Sequence, residues 1–218
     1  MSSGYGAADG AGFVSHDGVI HERLPDAGGG AVPLRWVVRW ETQLDDAELA
    51  RIHAFLVRVF PDHPGGVQAA WAGSRPELRL LGFADDADDS TEGELLAHIG
   101  IARRFIRARE SGASVLVGDV GLVGVSPDRQ GAGLGRRLMH QTDAVLADLG
   151  VDFGTLTTGD SKIPFYEAVG WHLASNRLHA IDLWNRRETF DGPFFIRPVR
   201  APLSAWPTGD LERNAREI

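Results

Sequence analysis

Apolar and polar positions along the 218-residue chain keep two different rhythms, and the changes of rhythm mark its elements. From Leu34 to Trp40 the run Leu-Arg-Trp-Val-Val-Arg-Trp is apolar and rich in residues that suit a half-buried strand. Asp45 or Asp46 then stands where a helix N-cap is wanted, ahead of an amphipathic run to Phe60 that breaks at residues 61–66. Residues 78–83 predict a strand, the acidic stretch Asp85-Asp86-Ala87-Asp88-Asp89 a solvated turn, and residues 95–106 a further strand. Glu110-Ser111-Gly112 predicts a hairpin turn into a strand at Ser114–Val125. A helical period covers residues 134–149, and Gly150 supplies the residue favoured just past a helix end. Residues 153–157 then predict a strand, 164–169 a short helix, and 171–184 and 194–199 closing strands. The order β-α-β-β-β-α-β-α-β-β predicts an α/β (α+β) fold, with a mixed, mostly antiparallel sheet of six to seven strands flanked by helices. Residues 1 to about 32, with their Gly28-Gly29-Gly30, bury too little apolar surface to offset chain entropy, so a flexible tail is expected there. Residues 33–218 are then expected to form a single domain, a length that one core supports.

Composition narrows the function. A formal charge of -8 argues against nucleic acid, whose phosphates need clustered Lys and Arg, and suits a cationic partner. The chain has no cysteine, which excludes disulfides, thiolate metal sites and a cysteine nucleophile. No apolar run approaches the roughly 20 residues of a membrane span, and the first residues lack the order of a signal peptide. A soluble, cytoplasmic protein is expected. His140 and His179 have no partner at metal-ligand spacing, so no metal is expected either.

Between the strand ending at Val125 and the helix beginning near Leu134 lies Ser126-Pro127-Asp128-Arg129-Gln130-Gly131-Ala132-Gly133-Leu134-Gly135-Arg136-Arg137. Glycines there let several N–H groups converge on an anion, the helix start adds partial positive charge, and the arginines add full charge. Such a loop can cradle a pyrophosphate, although a bare glycine-rich turn reads equally as a helix-capping loop. It lacks the Gly-Lys-Ser/Thr ending of a nucleoside-triphosphate loop, and it follows an antiparallel meander rather than a first strand as in dinucleotide folds. The sequence here resembles the GNAT superfamily, whose acyl-CoA loop reads Gln/Arg-x-x-Gly-x-Gly/Ala after a strand; Gln130, Gly133 and Gly135 match it. A second feature of that superfamily, aromatic-Tyr-x-x-x-Gly-aromatic, is matched by Phe165-Tyr166-Glu167-Ala168-Val169-Gly170-Trp171. The resemblance implies the GNAT fold, splayed at an acyl-CoA cleft, with acetyl-CoA or another acyl-CoA as donor. It places the donor on Val123, Gly124, Val125, Gln130, Gly131, Ala132, Gly133, Gly135 and Arg136, with a backbone N–H near Val123 polarising the thioester carbonyl.

A closer resemblance runs over nearly all of residues 34–218. Residues 34–40, Trp71-Ala72-Gly73-Ser74-Arg75-Pro76-Glu77, Ala97-His98-Ile99-Gly100 with Arg103-Arg104-Phe105-Ile106, residues 122–128, and Trp206-Pro207 with Glu212-Arg213-Asn214 look like the nodulation A acyltransferases. Those enzymes put a fatty acyl chain on the free amine of a chitin-derived oligosaccharide. The second half is also similar to aminoglycoside 2'-N-acetyltransferases, which pair a His-containing third strand with paired basic residues and end in Trp-x-x-Gly-Asp, as do Trp206 to Asp210. Both relatives acylate sugar amines, which implies a small-molecule amine acceptor, an amino sugar above all; a homodimer is left open. The loop favours an acyl-CoA over an acyl carrier protein. The readings kept beside this one are long-chain transfer to a deacetylated oligosaccharide and a silent module that only binds acyl-CoA.

Tyr166 is the expected general acid toward the leaving thiolate, against a packing role with its hydroxyl in water. Asp119 is the expected base, because even spacing puts it on one face with Val123 and Val125; the alternative is an ion pair with Arg103 or Arg104. His98, within an apolar strand, is a packing histidine or the reserve base at the substrate. Asp210 could take a substrate ammonium or hydroxyl with Trp206 stacked on a sugar ring, or both could simply cover the sheet. Trp36, Trp40 and Trp71 are expected in the core.

Overall fold

The computed structural model describes residues 19–22, 34–61, 75–84, 93–182, 184–214 and 218. Strand β1 (Val19–Glu22) pairs antiparallel with β2 (Leu34–Trp40), so four residues of the expected tail belong to the sheet. The rest of residues 1–32, Trp71 and the acidic run 85–89 lie outside the described residues. Helix α1 (Asp46–Val59) begins on a capping box in which the Asp45 carboxylate accepts from the Glu48 N–H and the Glu48 carboxylate accepts from the Asp45 N–H. Its apolar stripe of Ile52, Phe55 and Leu56 packs on Leu81 of β3 (Leu78–Ala84) and Leu95 of β4 (Leu95–Ala108).

Strands β2, β3, β4 and β5 (Ser114–Val125) form an antiparallel meander. Helix α2 (Leu134–Asp148) then crosses over to β6 (Phe153–Thr157), which lies parallel to β5, as a helical crossover requires. Glycine lets α2 approach closely, because a Cβ at Gly118 of β5 would sit 2.2 Å from the Leu146 side chain. A short helix α3 (Ile163–Ala168) leads to β7 (His172–Leu173), β8 (Leu178–Ile181), β9 (Arg187–Phe190), β10 (Phe194–Pro198) and β11 (Leu211–Arg213).

Two expectations change. The single strand expected over residues 171–184 is two short strands, and the chain then doubles back because the Asp182 carboxylate accepts from the N–H groups of Trp184 and Arg186. The described sheet has eleven strands rather than six or seven, since β1, β9 and β11 add to it and the expected strand over 171–184 is divided into β7 and β8. Strand β11 takes over the edge of β4 that β3 has left and also pairs with β8, so the sheet curls into a half-barrel. Its inner face is filled by Ile106, Val117, Phe153, Leu178, Phe194 and Leu211. The other face of β4, β5 and β6 packs against α2 through Ile99, Val120, Leu138 and Leu146.

Candidate functional site

Two strands part where the site forms. The parallel register of β5 and β6 runs only from Val117–Asp119 against Phe153–Thr155, while β5 continues to Val125 and β6 to Thr157. At the parting, β5 carries a bulge: His98 pairs with Gly124 and Gly100 with Gly121, so Leu122 and Val123 stand opposite the single residue Ile99. Leu122 has φ 53°, a left-handed conformation that costs a non-glycine residue about 1–3 kcal/mol and persists only where its surroundings over-determine it.

The bulge corrects the parity argument made from the sequence. One extra residue turns every later side chain to the opposite face. Val123 and Val125 therefore pack toward α2 and the apolar cluster beneath it, whereas Asp119, before the bulge, faces the half-barrel interior beside Val117. There its carboxylate is 3.2 Å from Arg104 Nε and 3.4 Å from Arg213 Nη1, and it accepts from the Thr155 hydroxyl at 3.2 Å. The pairing weighed with Arg104 is present, and Arg103 instead donates to Glu77. Gly121 admits no side chain, because a Cβ there would lie 2.0 Å from the Ile218 carbonyl oxygen.

Past Val125 the loop turns through a short 3₁₀ segment at Pro127–Arg129 into Gln130, Gly131, Ala132 and Gly133, all exposed. Gly131 and Gly133 both have φ 79°, and a Cβ at either would meet open space; their backbone, not their packing, is what glycine serves. Gly133 is the N-cap of α2: its carbonyl accepts from the Arg136 and Arg137 N–H groups, and a helix has no acceptor of its own for the N–H groups that precede these. Gly135 lies against the Phe165 ring, and Arg136 donates to the Ala168 carbonyl at 3.4 Å, so the loop is tied to α3.

On α3, Tyr166 is buried, with ring centroids 5.1 Å from Phe165 and 5.4 Å from Phe195. Burial pushes its hydroxyl up to about 12 despite a hydrogen bond with Thr158, just beyond the end of β6. The structure thus brings Val123, Gly124, Val125, the loop Gln130–Gly135, Arg136 and Tyr166 together around the parting of β5 and β6.

His98 lies beneath the bulge, not in the cleft. It is fully buried, with Nε2 3.0 Å from Arg79 Nη1 and Nδ1 2.9 Å from the Leu122 carbonyl oxygen. Burial first, and the neighbouring Arg79 guanidinium second, push its imidazole down to about 3, and both ring nitrogens are engaged, so it has no lone pair for an acceptor amine. Trp206 and Asp210 are also corrected. The Trp206 ring lies 5.0 Å edge-on from Phe153 and 6.0 Å from Phe194, and its N–H donates to Asn176. Asp210 accepts from His179 at 2.9 Å, a bond that holds its carboxyl below the usual range. Its carbonyl accepts from the Arg109 N–H just past the far end of β4, ten residues or roughly 33 Å along the strand from Ile99 at the bulge. Trp36 is in the core as expected, but Trp40 is partly exposed beneath the Arg103 guanidinium.

Sequence reasoning passed over Arg79, Glu41, Arg213 and Thr158. Arg79 had a usable signal: a charged residue inside the apolar run Leu78-Arg79-Leu80-Leu81 must find a buried partner. Arg213 carried none, because its partner Asp119 is 94 residues away, and Thr158 carried none, because nothing local marks it as a partner of Tyr166.

Residues 31–218 match the family described as nodulation protein A. The nodulation protein A of Sinorhizobium fredii (strain NBRC 101917 / NGR234) is 33% identical over 208 residues, covering 85% of this chain and 98% of the relative. That of Sinorhizobium terangae is 30% identical over 207 residues with the same coverage. Among solved structures, a GNAT family N-acetyltransferase (YhbS) from Escherichia coli in complex with CoA superimposes with TM-score 0.54 at 17% identity, over 85% of this chain and 93% of that one. An acyl-CoA N-acyltransferase from Pseudomonas aeruginosa does so with TM-score 0.51 at 19% identity, over 75% and 99%. The fold is the GNAT fold expected from the loop.

Proposed function

The chain belongs to the nodulation protein A family and is an N-acyltransferase; on that premise we propose that it transfers the acyl group of an acyl-CoA, with acetyl-CoA the simplest donor, to a primary amine of an amino sugar in the cytoplasm. The observation that carries the donor is the exposed loop Gln130–Gly135, with Gly131 and Gly133 left-handed at the start of α2 beside the parted strands. Its open backbone fits a pyrophosphate, which Arg136 would help to neutralise.

Acyl-CoA supplies an activated carbonyl; the amine nitrogen bonds to it as the carbon–sulfur bond breaks, and the proton that the nitrogen sheds on becoming an amide is taken up by the departing thiolate, which leaves as the free CoA thiol. The chain's own task is alignment, which replaces an encounter in solution with an effectively intramolecular step. Val123 and Val125 pair through their backbone with the pantetheine amides, and the Val123 N–H polarises the carbonyl. Tyr166 faces the departing sulfur. With its hydroxyl at about 12 and an ordinary thiol near about 8.5, the proton stays on oxygen, so Tyr166 stabilises the thiolate by a hydrogen bond rather than by giving up its proton. Asp119, held by Arg104 and Arg213, acts as a structural anion, and the acceptor amine arrives unprotonated.

The family match over residues 31–218 favours a second reading, in which the acyl chain is long and the acceptor a deacetylated oligosaccharide. One experiment separates the two. Free thiol release is followed with acetyl-, octanoyl- and palmitoyl-CoA against glucosamine, an aminoglycoside and a partly deacetylated chitin oligomer. Release that requires both donor and amine is expected, and the best chain length chooses between the readings. Tight CoA binding with no release for any pair would overturn both.

A further inference from the structure

We propose that Glu41, Arg79 and His98 form a positioning chain that aims the Val123 N–H at the acyl carbonyl, an inference that deepens the function proposed above and rests on it. Arg79 donates to the Glu41 carboxylate twice, from Nε at 2.7 Å and from Nη2 at 3.0 Å, and Arg75 Nε holds the same carboxylate at 3.1 Å. The third link is Arg79 Nη1 to His98 Nε2 at 3.0 Å, and the fourth is His98 Nδ1 to the Leu122 carbonyl at 2.9 Å.

These partners leave no choice of tautomer. A guanidinium only donates and a carbonyl only accepts, so Nε2 must carry the lone pair and Nδ1 the hydrogen. Arg79 therefore donates to Glu41 on one side and to His98 on the other, and His98 in turn donates to the bulge. Arg79 and His98 are both buried, so water does not compete for the links. Phe55 of α1 covers the imidazole, with ring centroids 6.5 Å apart.

The last link sets a direction. In a planar trans peptide the C=O and the following N–H point to opposite sides. Holding the Leu122 carbonyl toward His98 on β4 therefore turns the Val123 N–H away from β4, to the side of β5 where β6 has parted from it. Without that anchor, Leu122 at φ 53° would relax toward ordinary extended backbone and carry the Val123 N–H with it. The buried chain thus maintains a strained bulge in the one orientation that serves a developing oxyanion. It explains why the paired strands β3 and β4 carry a buried arginine and a buried histidine inside an apolar core.

The test compares His98→Leu, which removes both links, with His98→Gln, whose side-chain amide still accepts from Arg79 and donates to Leu122. Steady-state turnover and acyl-CoA affinity are measured together with the infrared carbonyl band of bound acyl-CoA carrying ¹³C at the thioester carbon. We expect His98→Leu to lower kcat about 100-fold, the scale of losing one oxyanion donor, to leave acyl-CoA affinity within about threefold, and to move the carbonyl band back toward its free position. His98→Gln should restore most of the shift and most of the rate. An unshifted band in His98→Leu relative to the unaltered protein overturns the proposal, whatever happens to stability. Should His98→Leu not fold, ring ¹⁵N shifts of the unaltered protein and of Arg79→Met decide it: hydrogen on Nδ1, lost or mixed once Arg79 is removed, supports the chain, and hydrogen on Nε2 in the unaltered protein overturns it. Failure of the unaltered protein to bind acyl-CoA overturns the function proposed above and this role with it; normal turnover with an unmoved carbonyl band overturns this role alone.

Discussion

Tyr166 meets two demands with one side chain. Its ring packs among Phe165, Phe195 and Trp171, while its hydroxyl reaches Thr158 at the end of β6. Removing the oxygen alone separates these demands, because a phenylalanine keeps the ring contacts. A hydrogen bond to a charged partner contributes about 1.5–3 kcal/mol, so Tyr166→Phe is expected to lower kcat roughly 10- to 100-fold with acyl-CoA affinity and thermal midpoint nearly unchanged. Steady-state kinetics beside calorimetric titration with CoA checks this. A loss confined to affinity would place the hydroxyl away from the sulfur.

Among the elements, β5 decides most of the site and shows where sequence pattern stops being informative. Its existence, its turn from β4 and the helix after it follow from local apolar rhythm and from glycine placement. The bulge at Leu122 does not, because no local rhythm marks the residue at which a strand gains one position, and that position reverses the face of Asp119 relative to Val123. The cluster around Asp119 is equally unreadable locally: Arg104 comes from β4, Thr155 from β6 and Arg213 from β11, 94 residues away. What the loop Gln130–Gly135 had in its favour was contiguity, since a phosphate cradle at a helix start needs no distant partner. The cluster joins four strands, so its loss should register as stability. Asp119→Asn leaves two buried guanidinium groups without their carboxylate and is expected to cost about 3–5 kcal/mol of unfolding free energy. Denaturant unfolding of the variant measures it. Under the structural role, the variant that remains folded turns over at close to the normal rate, and the rising limb of the pH profile follows the acceptor amine; a folded variant of normal stability that has lost its turnover would restore Asp119 as the base.

For the whole molecule, the burial of His98 beneath α1 depends on the pairing of the meander, since β3, β4 and β5 must be in register before the Glu41–Arg79–His98 series exists. Global stability is therefore linked to the protonation of one imidazole. In the folded chain that imidazole is depressed to about 3, whereas in the unfolded chain it titrates near 6.5. Above pH 6.5 both states hold it neutral and the linkage contributes nothing unfavourable. As pH falls below 6.5 only the unfolded state gains the proton, so stability is lost progressively until the folded value is reached. The first part of that window is specific, because ordinary carboxylates titrate near about 4 and are still largely ionised at pH 5. Between pH 6.5 and pH 5 the loss attributable to His98 is about 2 kcal/mol, at about 1.36 kcal/mol per pH unit. Unfolding free energies from denaturant titrations at pH 7, 6 and 5 should therefore fall in the unaltered protein and stay flatter in His98→Gln, whose amide cannot take up the proton. Below about pH 4 both proteins should lose stability together as carboxylates such as Asp210 and Glu77, held below their usual range by His179 and Arg103, are protonated. Parallel slopes for the two proteins between pH 7 and pH 5 would mean that His98 is not held neutral by the fold.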